Sequence, residues 1–123
     1  MEVPNNLSSM KKTGSRYVVL YCTTGSVDEA SNIAEHLVGN HMVACVNVIP
    51  SIRSIYWWNN KVHQDNEALM VIKTEESRIP EIERSIRQLH SYETPELIAL
   101  PIEYGMPEYL EWMAKSLSVR DDG

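Results

Sequence analysis

No stretch of this sequence approaches the ~18 consecutive apolar residues that a membrane-spanning helix requires. Its opening, Met1 to Ser15, has neither an apolar signal core nor the arginine enrichment of a transit peptide. Basic residues are also sparse: 11 Lys and Arg stand against 17 Asp and Glu, for a net charge of −6. Lys11-Lys12 is the only adjacent basic pair, so the chain lacks the concentrated basic face that a nucleic acid would need. The two cysteines, Cys22 and Cys45, each sit inside an apolar run and form no CxxC pair, which excludes a zinc ribbon or a thioredoxin-like motif. They read as reduced thiols packing as small hydrophobes. Neither GxSxG, a P-loop, a dinucleotide-binding glycine fingerprint nor HExxH occurs. These absences predict a cytosolic protein with no nucleic-acid or membrane partner and no enzymatic activity.

What is present fits one α+β domain. The 123 residues suffice for one core, and 43% hydrophobic with 23% charged residues is ordinary for a globular chain. Met1 to Ser15 reads as a disordered tail, residues 16–117 as the domain and 118–123 as a second tail. Tyr17 to Thr24 is apolar on both alternating faces, the pattern of a central strand. Gly25 breaks it. Ser26 with Glu29 forms a capping-box signature ahead of Ala30, Ile33, Ala34, Leu37 and Val38 at helical spacing, and Gly39-Asn40 closes that helix. Val43 to Trp58 and Lys61 to Thr74 form a hairpin around Asn59-Asn60, with Pro50 marking a bulge. Pro80 opens a helix with an Ile79, Ile82, Ile86, Leu89 stripe; Leu97 to Ile102 is a fourth strand. Pro107 begins a last helix carrying Leu110, Met113, Ala114 and Leu117 on one face. The order β-α-β-β-α-β-α is ferredoxin-like with an antiparallel sheet and an added C-terminal helix.

The hairpin is too long for its body. A chain of this size has a diameter of roughly 35 Å, whereas Val43 to Trp58 fully extended spans ~53 Å. Its tip carries Ile55, Tyr56, Trp57 and Trp58, an aggregation hazard if left in water. Burial of the tip against another subunit resolves the conflict; the alternative is a hairpin folded back on itself.

The segment His90-Ser91-Tyr92-Glu93-Thr94-Pro95-Glu96 places an imidazole, a phenol and two carboxylates in one loop. Such loops carry sites, although a capped helix end followed by an ordered turn uses the same residues. Thr23-Thr24, Ala44-Cys45-Val46-Asn47, Ser54-Ile55-Tyr56-Trp57-Trp58, Glu67, Lys73-Thr74, His90 through Glu96, and Trp112 occur in an order and spacing that resembles the CutA family, the divalent-cation tolerance proteins. The likeness covers about residues 17–117. It implies a ferredoxin-like fold, a homotrimer similar in architecture to the PII signalling proteins, and a role linked to divalent metals, copper in particular.

Two departures stand out. Ser91 replaces the proline that often follows the family's histidine. The bacterial copper pattern of a strand cysteine and two consecutive histidines is matched only by Cys22 and His90, because Leu89 precedes the latter. Cys22 and His90 are thus the candidate metal ligands, a thiolate and an imidazole suited to copper or zinc. His36 and His41 read as solvated surface groups. Glu67, Lys73, Tyr92, Glu93 and Glu96 are candidates to line an inter-subunit cleft for a small polar ligand or an ion. A hydrogen-bonded network fixing subunit register is the alternative for the same residues.

Overall fold

The computed structural model describes residues 16–118; the expected tails at 1–15 and 119–123 lie outside the described residues. Strand β1 (Tyr17–Thr24) leads into helix α1 (Val27–Gly39), then the hairpin of β2 (Cys45–Trp58) and β3 (Lys61–Glu75). A short 3-10 turn (Glu76–Arg78), helix α2 (Ile79–Leu89), strand β4 (Ile98–Pro101) and helix α3 (Pro107–Leu117) follow. The sheet order is β2-β3-β1-β4 with every neighbouring pair antiparallel, so the βαββαβ order expected from the sequence is present.

Local chemistry explains the joints. The Ser26 hydroxyl accepts from the Glu29 amide at 3.1 Å and starts α1. Asn59 and Asn60 both adopt left-handed backbone (φ 53 and 61), as a two-residue hairpin turn requires. The expected bulge is a register shift between Ile49 and Ile52, where Pro50 cannot donate to the ladder. Gly105 lets α3 approach: a Cβ there would lie 2.7 Å from Leu110 Cδ2.

The core lies between one face of the sheet and helices α1 and α2. Leu20 and Cys22 on β1, with Met70 and Ile72 opposite on β3, pack against Ile33, Leu37, Ile82 and Ile86. The apolar stripe of α2 ends at Ile86, because Leu89 is exposed at the helix end. Helix α3 covers only one end of the other face, where Leu110 and Met113 meet Tyr17 and Ala44. The strand register puts Ile49, Leu69, Tyr21 and Ile98 on that second face, together with Val71, Val19 and Leu100. Ile49, Ile98 and Leu100 are exposed there. His41 departs from the solvated role expected for it: it is half-buried with φ 58, and its ring donates from Nδ1 to the Ser116 carbonyl at 2.9 Å, tying α3 to the end of α1.

Candidate functional site

Cys22 and His90 converge on one atom, the carbonyl oxygen of Thr23. The Cys22 sulfur lies 3.8 Å from it and His90 Nε2 donates to it at 2.7 Å. His90 Nδ1 accepts the Tyr92 amide at 3.0 Å, so both ring nitrogens are engaged. The Cys22 thiol is fully buried; burial, and then the charges of Glu96, Glu29 and Glu67, push its pKa up to about 12. Both ring nitrogens of His90 are spent on backbone partners and the Cys22 sulfur is closed off in the core, so the two side chains do not by themselves present an assembled metal site. Among the described residues, no three His, Cys, Asp or Glu side chains converge as metal ligands would.

The carboxylates collect elsewhere, on the sheet face opposite Cys22. A cleft of about 810 Å³ opens between the hairpin and the loop after α2, lined by Thr23, Ser54, Tyr56, Trp58, Tyr92 and Thr94 around Asp65, Glu67, Glu93 and Glu96. None of its lining residues is basic. Period-two geometry builds its hairpin wall: Ser54 and Tyr56 on β2, with Asp65 and Glu67 on β3, turn the same way. Glu67 is the hub. It accepts from Ser54 Oγ at 2.6 Å on one carboxylate oxygen and from Tyr92 Oη at 2.7 Å on the other. Tyr56 donates to Asp65.

Electrostatics follow from this crowding of negative charge. Burial, and then the neighbouring Glu67, raises the Glu96 carboxyl. Burial and the hydrogen bond to Glu67 raise the Tyr92 phenol. The Tyr56 phenol is raised by its bond to Asp65.

Of the five residues predicted to share a cleft, Glu67, Tyr92, Glu93 and Glu96 come together and Lys73 does not. Lys73 lies six residues along β3 from Glu67, roughly 20 Å away at the strand's rise. There it donates to Asn47 Oδ1 at 2.8 Å and sits 5.9 Å from the centre of the Tyr109 ring, with Cys45 as its cross-strand partner. Its partner is an amide, not the carboxylate that a register-fixing ion pair would supply. His63 stacks on Tyr56 at 5.9 Å but does not line the cleft. Ser54, Asp65 and Tyr56 are wall residues not expected from the sequence, although their two-residue spacing within facing strands carries that signal. Glu29, expected only as half of a capping box, also has a role the sequence does not signal. The Glu29 carboxylate instead accepts from Gly25 N–H at 3.3 Å and from the loop at Ser91.

The family model described as CutA1 divalent ion tolerance protein matches residues 18–116, nearly all of the described chain. The chain belongs to the CutA family. It is 39% identical over 99 residues to Protein CutA 1, chloroplastic, of Oryza sativa, which covers 80% of this chain and 56% of the rice protein. It is 37% identical over 98 residues to the divalent-cation tolerance protein CutA of Archaeoglobus fulgidus, covering 80% of this chain and 95% of that one. The crystal structure of CutA1 from Oryza sativa superposes with a TM-score of 0.80 at 39% identity, over 82% of this chain and 93% of that one. The chain spans between about half and two thirds of the length of the plant and vertebrate relatives it matches, from 47% to 64%. The relatives bear out the family expected from the sequence, and the solved CutA1 structures bear out its α+β fold. Among the described residues no helix is long and apolar enough to cross a membrane.

Proposed function

We propose that this chain works as a homotrimeric, non-enzymatic divalent-cation tolerance protein of the cytosol, and that it takes up the cation at the acidic cleft. The observation that carries this reading is the cleft itself: four carboxylates and two phenols, with no basic residue along its lining. A concave wall of one charge sign concentrates counter-ions. Because no complete ligand set converges among the described residues of one chain, a neighbouring subunit supplies the remaining ligands. The exposed tip of the hairpin and the part of the sheet's apolar second face beyond α3 support assembly, since both lie beside the cleft with none of the described residues covering them. An oxygen-only donor set suits Mn²⁺ and similar hard ions, while the Irving–Williams order keeps Cu²⁺ the tightest divalent competitor.

Calorimetric titration with Mn²⁺ and with Cu²⁺ tests the assignment. Binding is expected to weaken in Glu67→Gln and Glu96→Gln and to persist in Cys22→Ser. Unchanged affinity in both carboxylate variants, or loss confined to Cys22→Ser and His90→Ala, would return the site to the thiol and imidazole. The cleft's size favours a second reading. About 810 Å³ with Tyr56, Trp58 and Tyr92 along the wall matches a small-molecule pocket, typically roughly 300–1,000 Å³, more closely than a bare ion. Under that reading the trimer is a PII-like signalling or scaffold module with an effector in the cleft. Absence of any metal heat in the wild-type titration would favour it.

A further inference from the structure

We infer that Glu29 is the positioning residue of the cleft, holding, with His90, the loop that delivers Tyr92, Glu93 and Glu96. The functional consequence rests on the cleft reading above; the positioning itself rests on geometry alone. Residues 90–97 belong to no helix or strand, so no ladder of backbone bonds fixes them. Two successive amides of this loop are instead captured by side chains anchored elsewhere. Ser91 N–H donates to Glu29 Oε2 at 2.7 Å, and Tyr92 N–H donates to His90 Nδ1 at 3.0 Å. The Ser91 hydroxyl adds a bond to Glu29 Oε1 at 3.1 Å. The anchors are rigid: Glu29 sits in the first turn of α1, and His90 hangs on the last residues of β1 through the Thr23 carbonyl.

Burial alone would raise the Glu29 carboxyl, but the Ser91 amide and hydroxyl, His90 and the Gly25 amide outweigh it and hold the group below the usual carboxylate range. Once the loop is held, Tyr92 has one place to go. Its ring lies 4.7 Å from that of His90 and packs over Gly25, where an added Cβ would meet the Tyr92 hydroxyl at 3.4 Å. From there the phenol reaches Glu67 Oε2. Glu29 is not among the cleft's lining residues, so its effect on a bound cation runs through this loop.

The test compares wild type with Glu29→Ala and Glu29→Gln by amide hydrogen exchange and Mn²⁺ calorimetry. In Glu29→Ala, exchange at Ser91 and Tyr92 is expected to quicken by about tenfold or more, the worth of a hydrogen bond to a charged acceptor. Ile72 and Leu20 amides should keep their protection. Mn²⁺ affinity should fall in Glu29→Ala and be largely restored in Glu29→Gln, which keeps an accepting oxygen without the charge. Unchanged Ser91 and Tyr92 exchange would overturn the proposal, as would acceleration spread equally to Ile72, which marks global destabilisation. A Gln variant as impaired in Mn²⁺ uptake as the Ala variant would also overturn it, by showing that the Glu29 charge attracts the cation directly. A wild type that takes up no Mn²⁺ defeats the cation reading, and the exchange arm still decides whether Glu29 positions the loop.

Discussion

The two halves of the central hairpin share one antiparallel ladder and have opposite surroundings. In the proximal half, β3 alternates strictly: Ala68, Met70, Ile72 and Thr74 are completely buried, and the residues between them are half-buried. Beyond the register shift between Ile49 and Ile52, β2 is just as rich in strand-forming side chains, yet Ile55 is 61%, Trp57 73% and Trp58 61% exposed. The difference lies outside the hairpin, since α1 and α2 cover the proximal half and none of the described residues covers the distal half. Strand propensity and cross-strand pairing are thus enough to form the ladder, but they do not decide what hides its side chains. A tip this apolar has no reason to persist in water, which makes it the region where the chain's own fold ends and assembly begins.

The sharpest way to break this contrast is to truncate each half. Trp57→Ala and Trp58→Ala should each cost about 3–5 kcal/mol if the rings are buried between copies, because that is the loss for a large aromatic removed from a packed site. The readout is mass by light scattering: three times the 14.1 kDa chain for wild type, with dissociation of the variants at micromolar concentration. Unchanged mass and melting temperature in both variants would show the tip to be as solvated in the assembly as it is in the single chain. Ile72→Ala, in the proximal half, should cost about 2–5 kcal/mol by denaturant titration, as for other fully buried aliphatic truncations. That loss should appear in folding and not in the dependence of melting on protein concentration. An Ile72 variant that altered assembly while leaving denaturant stability intact would contradict the division of roles.

The same division explains what could be read from the sequence. Elements with their own local signal were legible: the Tyr17–Thr24 run, the Ser26 cap, the Asn59-Asn60 turn, Pro50 at the bulge, and the Leu110, Met113, Leu117 face of the last helix. Contacts made across long sequence separations were not. Lys73 is an exception, because the strand read from Lys61 to Thr74 already sets it six residues, roughly 20 Å, from Glu67. Nothing near Glu29 reveals Ser91, 62 residues away, as the partner of its carboxylate. His41 likewise looked solvated because Ser116, the residue its ring meets, lies 75 positions on. The metal ligands expected at Cys22 and His90 show the limit most clearly. Their juxtaposition at the Thr23 carbonyl is present, but a buried protonated thiol and a doubly engaged imidazole are properties of surroundings that the ligand types do not encode.

That thiol gives the smallest predicted effect and a fine test of how closed the proximal half is. Cys22 pairs with Met70 across the ladder, on the face that α1 and α2 cover. Its ordinary value is 9.0 and its folded value is about 12, so between those limits the unfolded chain loses a proton that the folded chain keeps. Stability from this group is fully present below pH 9 and falls as pH rises towards 12. The raised tyrosines, Tyr17, Tyr92 and Tyr109, bend the curve the same way. The Cys22 share is therefore the difference between wild type and Cys22→Ala in an alkaline denaturation series, with the variant losing less stability above pH 9 than wild type does. An aromatic disulfide reagent at pH 8 supplies the kinetic counterpart: the native wild type and Cys22→Ala should release the same number of thiols, because Cys22 is shielded until the chain unfolds. Release of one extra thiol from native wild type would mean that the proximal half opens readily, and the contrast between the two halves of the hairpin would collapse into one of degree.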